Sequence, residues 1–210
     1  RLVSKLAPGV RLQFLNLADG DLEAMERLEI DLALMPVFPV RDHVALEIMM
    51  RSHMVVVARA DHERIRAEGL SPGDVMPLDL YCELGHVVFS TEGKLQALGD
   101  AALAETGRRR NVAMTLPFFS ALGHVLTDTD LIAMLPGQTA QSAASLLDLA
   151  VYRLPFAIDP IALAMIWYKR ADATPAHQWL RASVRQIAVQ LEAGYPLAGE
   201  PAPDTLAPEV

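Results

Sequence analysis

Apolar positions recur along this chain in two rhythms, and the places where one gives way to the other mark the boundaries of its elements. Phe118, Leu122, Val125 and Leu126 recur at helical spacing, and Pro117 suits a first helical position, where its missing N–H would be unpaired anyway. Asp128-Thr129-Asp130 stops that helix, and Leu131 to Leu135 is a continuous apolar run of strand length. A second helix, over about 137–147, follows at once. An αβα unit with such short loops belongs to a doubly wound α/β domain, whose ligands sit at the carboxyl ends of strands.

The same rhythms run through the rest of the chain. Residues 1–6 read as the end of a helix stopped by Pro8-Gly9. Residues 10–17 alternate as a strand, with Leu12 and Phe14 on the face opposite Arg11 and Gln13. A short amphipathic helix over 21–28 and a strand over 30–35, closed by Pro36, complete a βαβ unit with two parallel, adjacent strands. Strands over 44–50 and 53–59 flank Arg51-Ser52; a polar stretch opens at Asp61, and Ser71 to Asp74 is a turn or a short capped helix. A strand over 87–90 leads to a helix over 94–105 with Leu95, Leu98 and Leu103 inward. Further strands fall at 111–116, 150–154 and 161–169, and a final helix runs from Thr174 or Pro175 to about Ala193. From Tyr195 onward Pro, Ala, Gly and acidic residues dominate, which predicts a flexible tail.

Extended segments near 80–86 and 154–160 bracket the central βαβαβ block. The chain is therefore expected to be α/β, with two Rossmann-like subdomains, one inserted into the other, a two-strand hinge and a ligand cleft between them. Subdomain I takes 1–82 and 160–194, subdomain II takes 83–159, and 195–210 is the tail.

Composition narrows the function. With 210 residues, 52% of them hydrophobic, the chain can bury one large core or two small ones. The longest apolar run, Ile158 to Tyr168, contains Asp159 and Pro160 and is a buried strand, too short to cross a bilayer. A net charge of −8 argues against gripping nucleic acid unaided, and Arg108-Arg109-Arg110, just past a helix end, reads as a solvated cap. A lone Cys82 excludes an internal disulfide and a cysteine metal cluster, which fits a cytoplasmic protein. No signal peptide is visible, although a start upstream of Arg1 could have carried one. The histidines lack metal spacing, no serine sits in a G-x-S-x-G elbow, and Gly-rich phosphate loops are missing. Neither an enzyme nor a bound cofactor or metal is expected.

The order of motifs resembles the effector-binding region of LysR-type transcriptional regulators. The matching residues are Ala7-Pro-Gly-Val-Arg-Leu12, Leu22-Glu-Ala-Met-Glu-Arg-Leu-Glu-Ile-Asp-Leu-Ala-Leu34, His53-Met-Val-Val-Val-Ala-Arg-Ala-Asp-His62, Ile166-Trp-Tyr-Lys-Arg170 and Pro175-Ala-His-Gln-Trp-Leu-Arg181. Thr115-Leu-Pro-Phe-Phe119, Gly123-His-Val-Leu126 and Thr129-Asp-Leu-Ile-Ala-Met-Leu-Pro136 resemble a branch that answers salicylate, nitroaromatics and flavonoids. Together and in the right order these motifs carry weight that no single one has. The resemblance implies the type 2 periplasmic-binding-protein fold, a small organic effector, aromatic or carboxylated, and a homodimer (a tetramer in a full-length protein). Promoter DNA would be met only through an N-terminal helix-turn-helix domain that this sequence lacks, and no membrane is involved. The first strand of the family's effector domain and most of its first helix are also absent, and Leu28 stands where the family usually has Gly. The alternative is a periplasmic solute-binding protein of a transport system on the same fold.

Strand ends then supply the candidate effector-binding residues. Met35, Val37 and Phe38 follow one strand; Ser90, Thr91 and Glu92 follow another, as a helix cap, a ligand contact or both; Thr115, Pro117 and Phe118 follow a third. Other members of the branch tend to carry His at the position of Phe118, which stacks on a ring but donates no hydrogen bond. Met165 and Trp167 share a strand face and are either core or site; His124 reads as a helix residue, packed or half-exposed.

Overall fold

Continuous apolar runs end up in the middle of sheets, and alternating ones at their margins. A computed structural model describes residues 2–15 and 29–194. In chain order its elements are α1 (Leu2–Leu6), β1 (Ala33–Pro36), β2 (Val44–Ser52), β3 (Met54–Arg59), α2 (Glu63–Ala67), α3 (Leu78–Glu83), β4 (Gly85–Phe89), α4 (Asp100–Glu105), β5 (Asn111–Leu116), α5 (Phe119–Thr127), β6 (Ala133–Pro136), α6 (Gly137–Ala144), β7 (Leu149–Arg153), β8 (Ile161–Tyr168) and α7 (Pro175–Gly194). Two compact units divide the chain: unit 1 holds 1–53 and 159–191, and unit 2 is built on 54–158.

Unit 1 is a three-stranded antiparallel sheet in the order β1-β8-β2, with Ala33, Ile166 and Leu46 opposite one another. Having a neighbour on each side, β8 buries Ala164, Met165, Ile166 and Trp167 in succession. Ala33, Ala164 and Ile166 pack with Met35, Phe38, Val40 and Tyr168 on one face. The opposite face meets α7, where Arg185 forks onto both carboxylate oxygens of Glu47 at 2.6 Å each. That guanidinium holds the Glu47 carboxyl below its ordinary range.

In unit 2 the order β6-β3-β7 is antiparallel and β4-β5 is parallel. A parallel bridge between His86 and Ile132 brings β4 alongside the β6 segment, with the Val87 N–H donating to the Ile132 carbonyl at 2.9 Å. The run Met54 to Ala58 occupies the centre: Val56 and Ala58 enter one core with Ile65, Met76, Tyr81 and Ile132, while Val55 and Val57 enter a second with Val87, Leu122, Leu126 and Leu135. An uninterrupted apolar strand has no solvent face, and β3 has none.

Several expectations are corrected. Residues 10–15 form no strand, and β1 pairs antiparallel with β8 rather than parallel with that segment. No strand among the described residues lies beside 10–15, so its side chains stay outward, Phe14 at 88% exposure. The expected helix over 21–28, the Leu28 turn and the tail from Tyr195 fall outside the described residues. The helix expected over 94–105 shortens to α4, because Gly99 at φ +86° breaks it and the Asp100 carboxylate accepts from the Ala97 N–H at 2.7 Å instead. Leu95 and Leu98 consequently point outward and only Leu103 is buried. Pro117 lies before α5, whose N-cap is Phe118. The segment expected to be extended near 80–86 opens as α3, and the first crossing between units falls at 53/54 rather than 82/83. Its cause is pairing: β3 hydrogen-bonds β6 and β7 and must belong to their unit. The second crossing, at 158/159, stands one residue from its expected place.

Candidate functional site

The parallel pair in unit 2 gathers most of the candidate residues. Phe89 stands opposite Leu116 and Val88 opposite Thr115, so the loops leaving β4 and β5 emerge side by side at the carboxyl ends. The Ser90 N–H donates to the Leu116 carbonyl at 2.9 Å and fastens one loop to the other. Ser90 and Thr115 are half-buried, Thr91, Glu92 and Pro117 are exposed, and Phe118 is 53% exposed. No helix follows Ser90 until Asp100, so neither Ser90 nor Thr91 serves as a helix cap.

Two further residues belong to this edge. Phe89, last in β4, and Phe119, first in α5, stack with ring centroids 3.9 Å apart and planes 17° from parallel. Sequence reasoning singled out neither. Their signal was positional, since each is the terminal residue of an element that ends at the ligand-facing side. The second missed feature is the ion pair between Lys94 and Glu92.

Unit 1 holds the other candidates. Met35 and Phe38 are half-buried against Ala33, Ala164 and Ile166, while Val37 is 45% exposed with its N–H held by the Ala162 carbonyl. Met165 and Trp167 leave the candidate set: both are buried in the sheet, and the Trp167 indole N–H donates to Asp172 Oδ1 at 2.6 Å with the Arg181 guanidinium 4.8 Å over its ring. Their shared face meets α7, which alternation alone could not reveal. His124 is exposed on α5.

A buried polar cluster anchors the far end of the loop that begins at Ser90. Arg110, its side chain 4% exposed, donates Nε to Asp100 Oδ1 at 2.7 Å and Nη2 to the Leu98 carbonyl at 2.8 Å. Arg108 pairs with Asp79. Arg110 is thus committed to structure and the solvated-cap reading fails for it, while Arg108 keeps half of its side chain exposed. Nearby, His86 Nε2 donates to the Tyr81 carbonyl at 2.7 Å, which fixes its tautomer, and the two rings meet edge-on. Burial pushes the His86 imidazole down to about 4 and the Tyr81 phenol up to about 12.

The parallel strand pair thus presents its two loops side by side at its carboxyl ends. The profile of the LysR substrate binding domain family matches residues 2–188. The chain belongs to that family. Among curated relatives it is 29% identical over 133 residues to the HTH-type transcriptional activator NahR of Pseudomonas putida, covering 63% of this chain and 42% of the relative. It is 28% identical to nodulation protein D 1 of Rhizobium tropici, covering 88% and 58%. The chain therefore spans about half the length of the curated relatives it matches. Among solved structures, a putative transcriptional regulator from Vibrio parahaemolyticus superposes with a TM-score of 0.77 at 26% identity, over 91% of this chain and 87% of that one. The fold is accordingly the type 2 periplasmic-binding-protein-like one of LysR regulatory domains.

Within this LysR domain the Arg-x-x-His motif has a structural task. Arg59 bridges the carboxylates of Asp61 and Asp130 at 2.5 and 2.6 Å. His62 caps α2, accepting from the Ile65 N–H through Nδ1 and donating through Nε2 to the Asp130 carbonyl at 3.0 Å. The motif ties the end of β3 to the turn that launches β6.

Proposed function

We propose that this chain is the sensing part of a LysR-type transcriptional regulator and takes a small organic effector, aromatic or carboxylated, at the carboxyl ends of β4 and β5. The observation that carries the reading is the register Phe89–Leu116, which sets Ser90, Thr91 and Glu92 beside Thr115, Pro117 and Phe118. Phe118 offers a ring face, and Ser90, Thr91 and Thr115 offer hydroxyls. Ligand binding biases the domain between conformations, and that bias is read elsewhere in the regulator. The reading includes no catalysis and a cytoplasmic setting; no helix among the described residues is long and apolar enough to cross a membrane. That the relatives are transcriptional regulators favours this reading over a transport component.

Self-association belongs to the same proposal. Val10, Leu12, Phe14 and Leu15 in unit 1, and Leu95 and Leu98 in unit 2, are exposed apolar side chains, and we assign them to contact with a second copy.

Promoter contact is assigned to a part of the regulator other than residues 2–188. The acidic chain is expected to show no sequence-specific retention of duplex DNA in a gel shift at low salt; specific retention would defeat that assignment.

The site itself is tested by substitution. Phe118→Ala removes an exposed aromatic face and is expected to weaken effector binding by about 1–3 kcal/mol. Thr91→Val keeps the shape, deletes one hydrogen bond, and should lose about 1 kcal/mol. Calorimetric titration with a panel of aromatic acids, amides and phenols is paired with thermal unfolding of each ligand-free variant. Unchanged affinity per folded molecule, with a large loss of stability in Phe118→Ala, would make Phe118 a structural residue and move the site.

A further inference from the structure

We infer that the effector taken at this edge is an uncharged aromatic molecule, and that the edge discriminates against carboxylates. This rests on the reading of the β4–β5 edge as the effector site.

The first ground is the charge inventory. Among Ser90, Thr91, Glu92, Thr115, Pro117 and Phe118 only Glu92 is ionisable, and it is an acid. Lys94 is the cation in the loop that leaves β4, and it is ion-paired to Glu92. Of the three arginines before β5, Arg108 pairs with Asp79 and Arg110 with Asp100 and the Leu98 carbonyl; all three, Arg109 included, lie at the amino end of the strand, opposite the end that carries Thr115. A ligand carboxylate would leave water without gaining a counter-ion, and an unpaired charge is costly to desolvate.

The second ground is the aromatic surface. Phe118 is 53% exposed and Phe119 40% exposed, with Phe119 already stacked on Phe89. A flat ring extends this arrangement by offset or edge contact. One effect opposes the inference: α5 starts at this edge with no side chain capping its first amides, and a helix N-terminus attracts anions. Its partial charge of about +0.5 falls short of a full carboxylate and fades within a turn. Those amides suit the oxygen of a carbonyl, nitro or phenol group, which needs no counter-ion.

The test uses matched probes on the intact 210-residue chain. Benzamide is compared with benzoate and 2-naphthol with 2-naphthoate by calorimetric titration, in the wild type and in Phe118→Ala, Thr91→Val and Glu92→Gln. The neutral member of each pair is expected to bind about 10-fold or more tightly, as unpaired burial of charge implies. Glu92→Gln removes the counter-charge of Lys94 and should narrow the gap by strengthening the carboxylate alone. Equal or tighter carboxylate binding that still depends on Phe118 and Thr91 overturns this inference and leaves the site standing. Binding indifferent to Phe118 and Thr91, or no binding by any probe, overturns the site reading and the inference with it.

Discussion

Acidification from pH 6.5 to 4 is expected to remove about 3 kcal/mol of folding stability through His86 alone. The imidazole is buried in unit 2, with one nitrogen held by the Tyr81 carbonyl and Nδ1 without a partner in the core. Burial is the main cause of its depressed protonation, and Arg110 adds like-charge repulsion while Asp100 opposes it. Above pH 6.5 the side chain is neutral in both folded and unfolded chains, so it contributes no slope. Between 6.5 and about 4 the unfolded chain binds a proton that the folded one refuses, and stability falls as pH falls. Below about 4 both states are protonated and this contribution to the slope ends. At about 1.4 kcal/mol per pH unit, the gap between 6.5 and about 4 gives the stated loss. Urea unfolding from pH 7.5 downward, in the wild type and in His86→Leu, isolates it from the carboxylates. The variant gives up one hydrogen bond at neutral pH but should lose the slope over this window. An identical slope in both proteins would place the acid sensitivity elsewhere.

Removing the Arg110 guanidinium should cost about 2–3 kcal/mol at neutral pH, because two partners depend on it. In Arg110→Met the Asp100 carboxylate loses its counter-ion and the Leu98 carbonyl its donor, while the methionine stem keeps much of the packing. Asp100 remains 28% exposed, so water recovers part of the loss and the upper range for a fully buried pair does not apply. Double-mutant cycles of Arg110→Met with Asp100→Asn measure the coupling directly. Coupling near zero would mean that Arg110 acts through packing alone. Because Asp100 also receives the Ala97 N–H, the same substitution should loosen the loop leading back to Ser90. Faster amide exchange over residues 94–99 would report that loosening.

What could be read from the sequence follows from how local each cause is. The strands β3 through β8 and the helices α5, α6 and α7 carry their cause in their own residues, as an apolar run or a helical stripe with a stop at Asp128 or a start at Gly137 or Pro175. Segment 10–15 alternates just as well, but a strand needs a neighbour, and pairing is not written in the segment that is paired. The helix expected over 94–105 failed on one glycine at positive φ and one aspartate that bonded backward to Ala97. The first crossing was misplaced because β2 and β3 are separated by His53 alone, and only their partners reveal that they belong to different sheets. Of the site, the strand ends were legible and the rings were not. Phe89 and Phe119 lie far apart in sequence and meet through the register of β4 on β5. Trp167 and Met165 were ambiguous because one face of β8 reads the same whether α7 or solvent lies above it.

The way the two units use the chain bears on the order in which a ribosome can complete them. The strands of unit 2 all lie within 54–158, so every one of them has been synthesised by the time Arg153 emerges. Unit 1 is different: β1 and β2 are made first, yet neither pairs with the other, and both wait for β8, the strand that lies between them. The inserted unit can therefore fold during translation while the enclosing one stays open, its β1 and β2 edges unsatisfied until the last quarter of the polypeptide arrives. Nascent chains stalled before Ile161 should hold a protease-resistant core from unit 2 alone, and that interval is when the exposed β2 edge is most open to wrong partners.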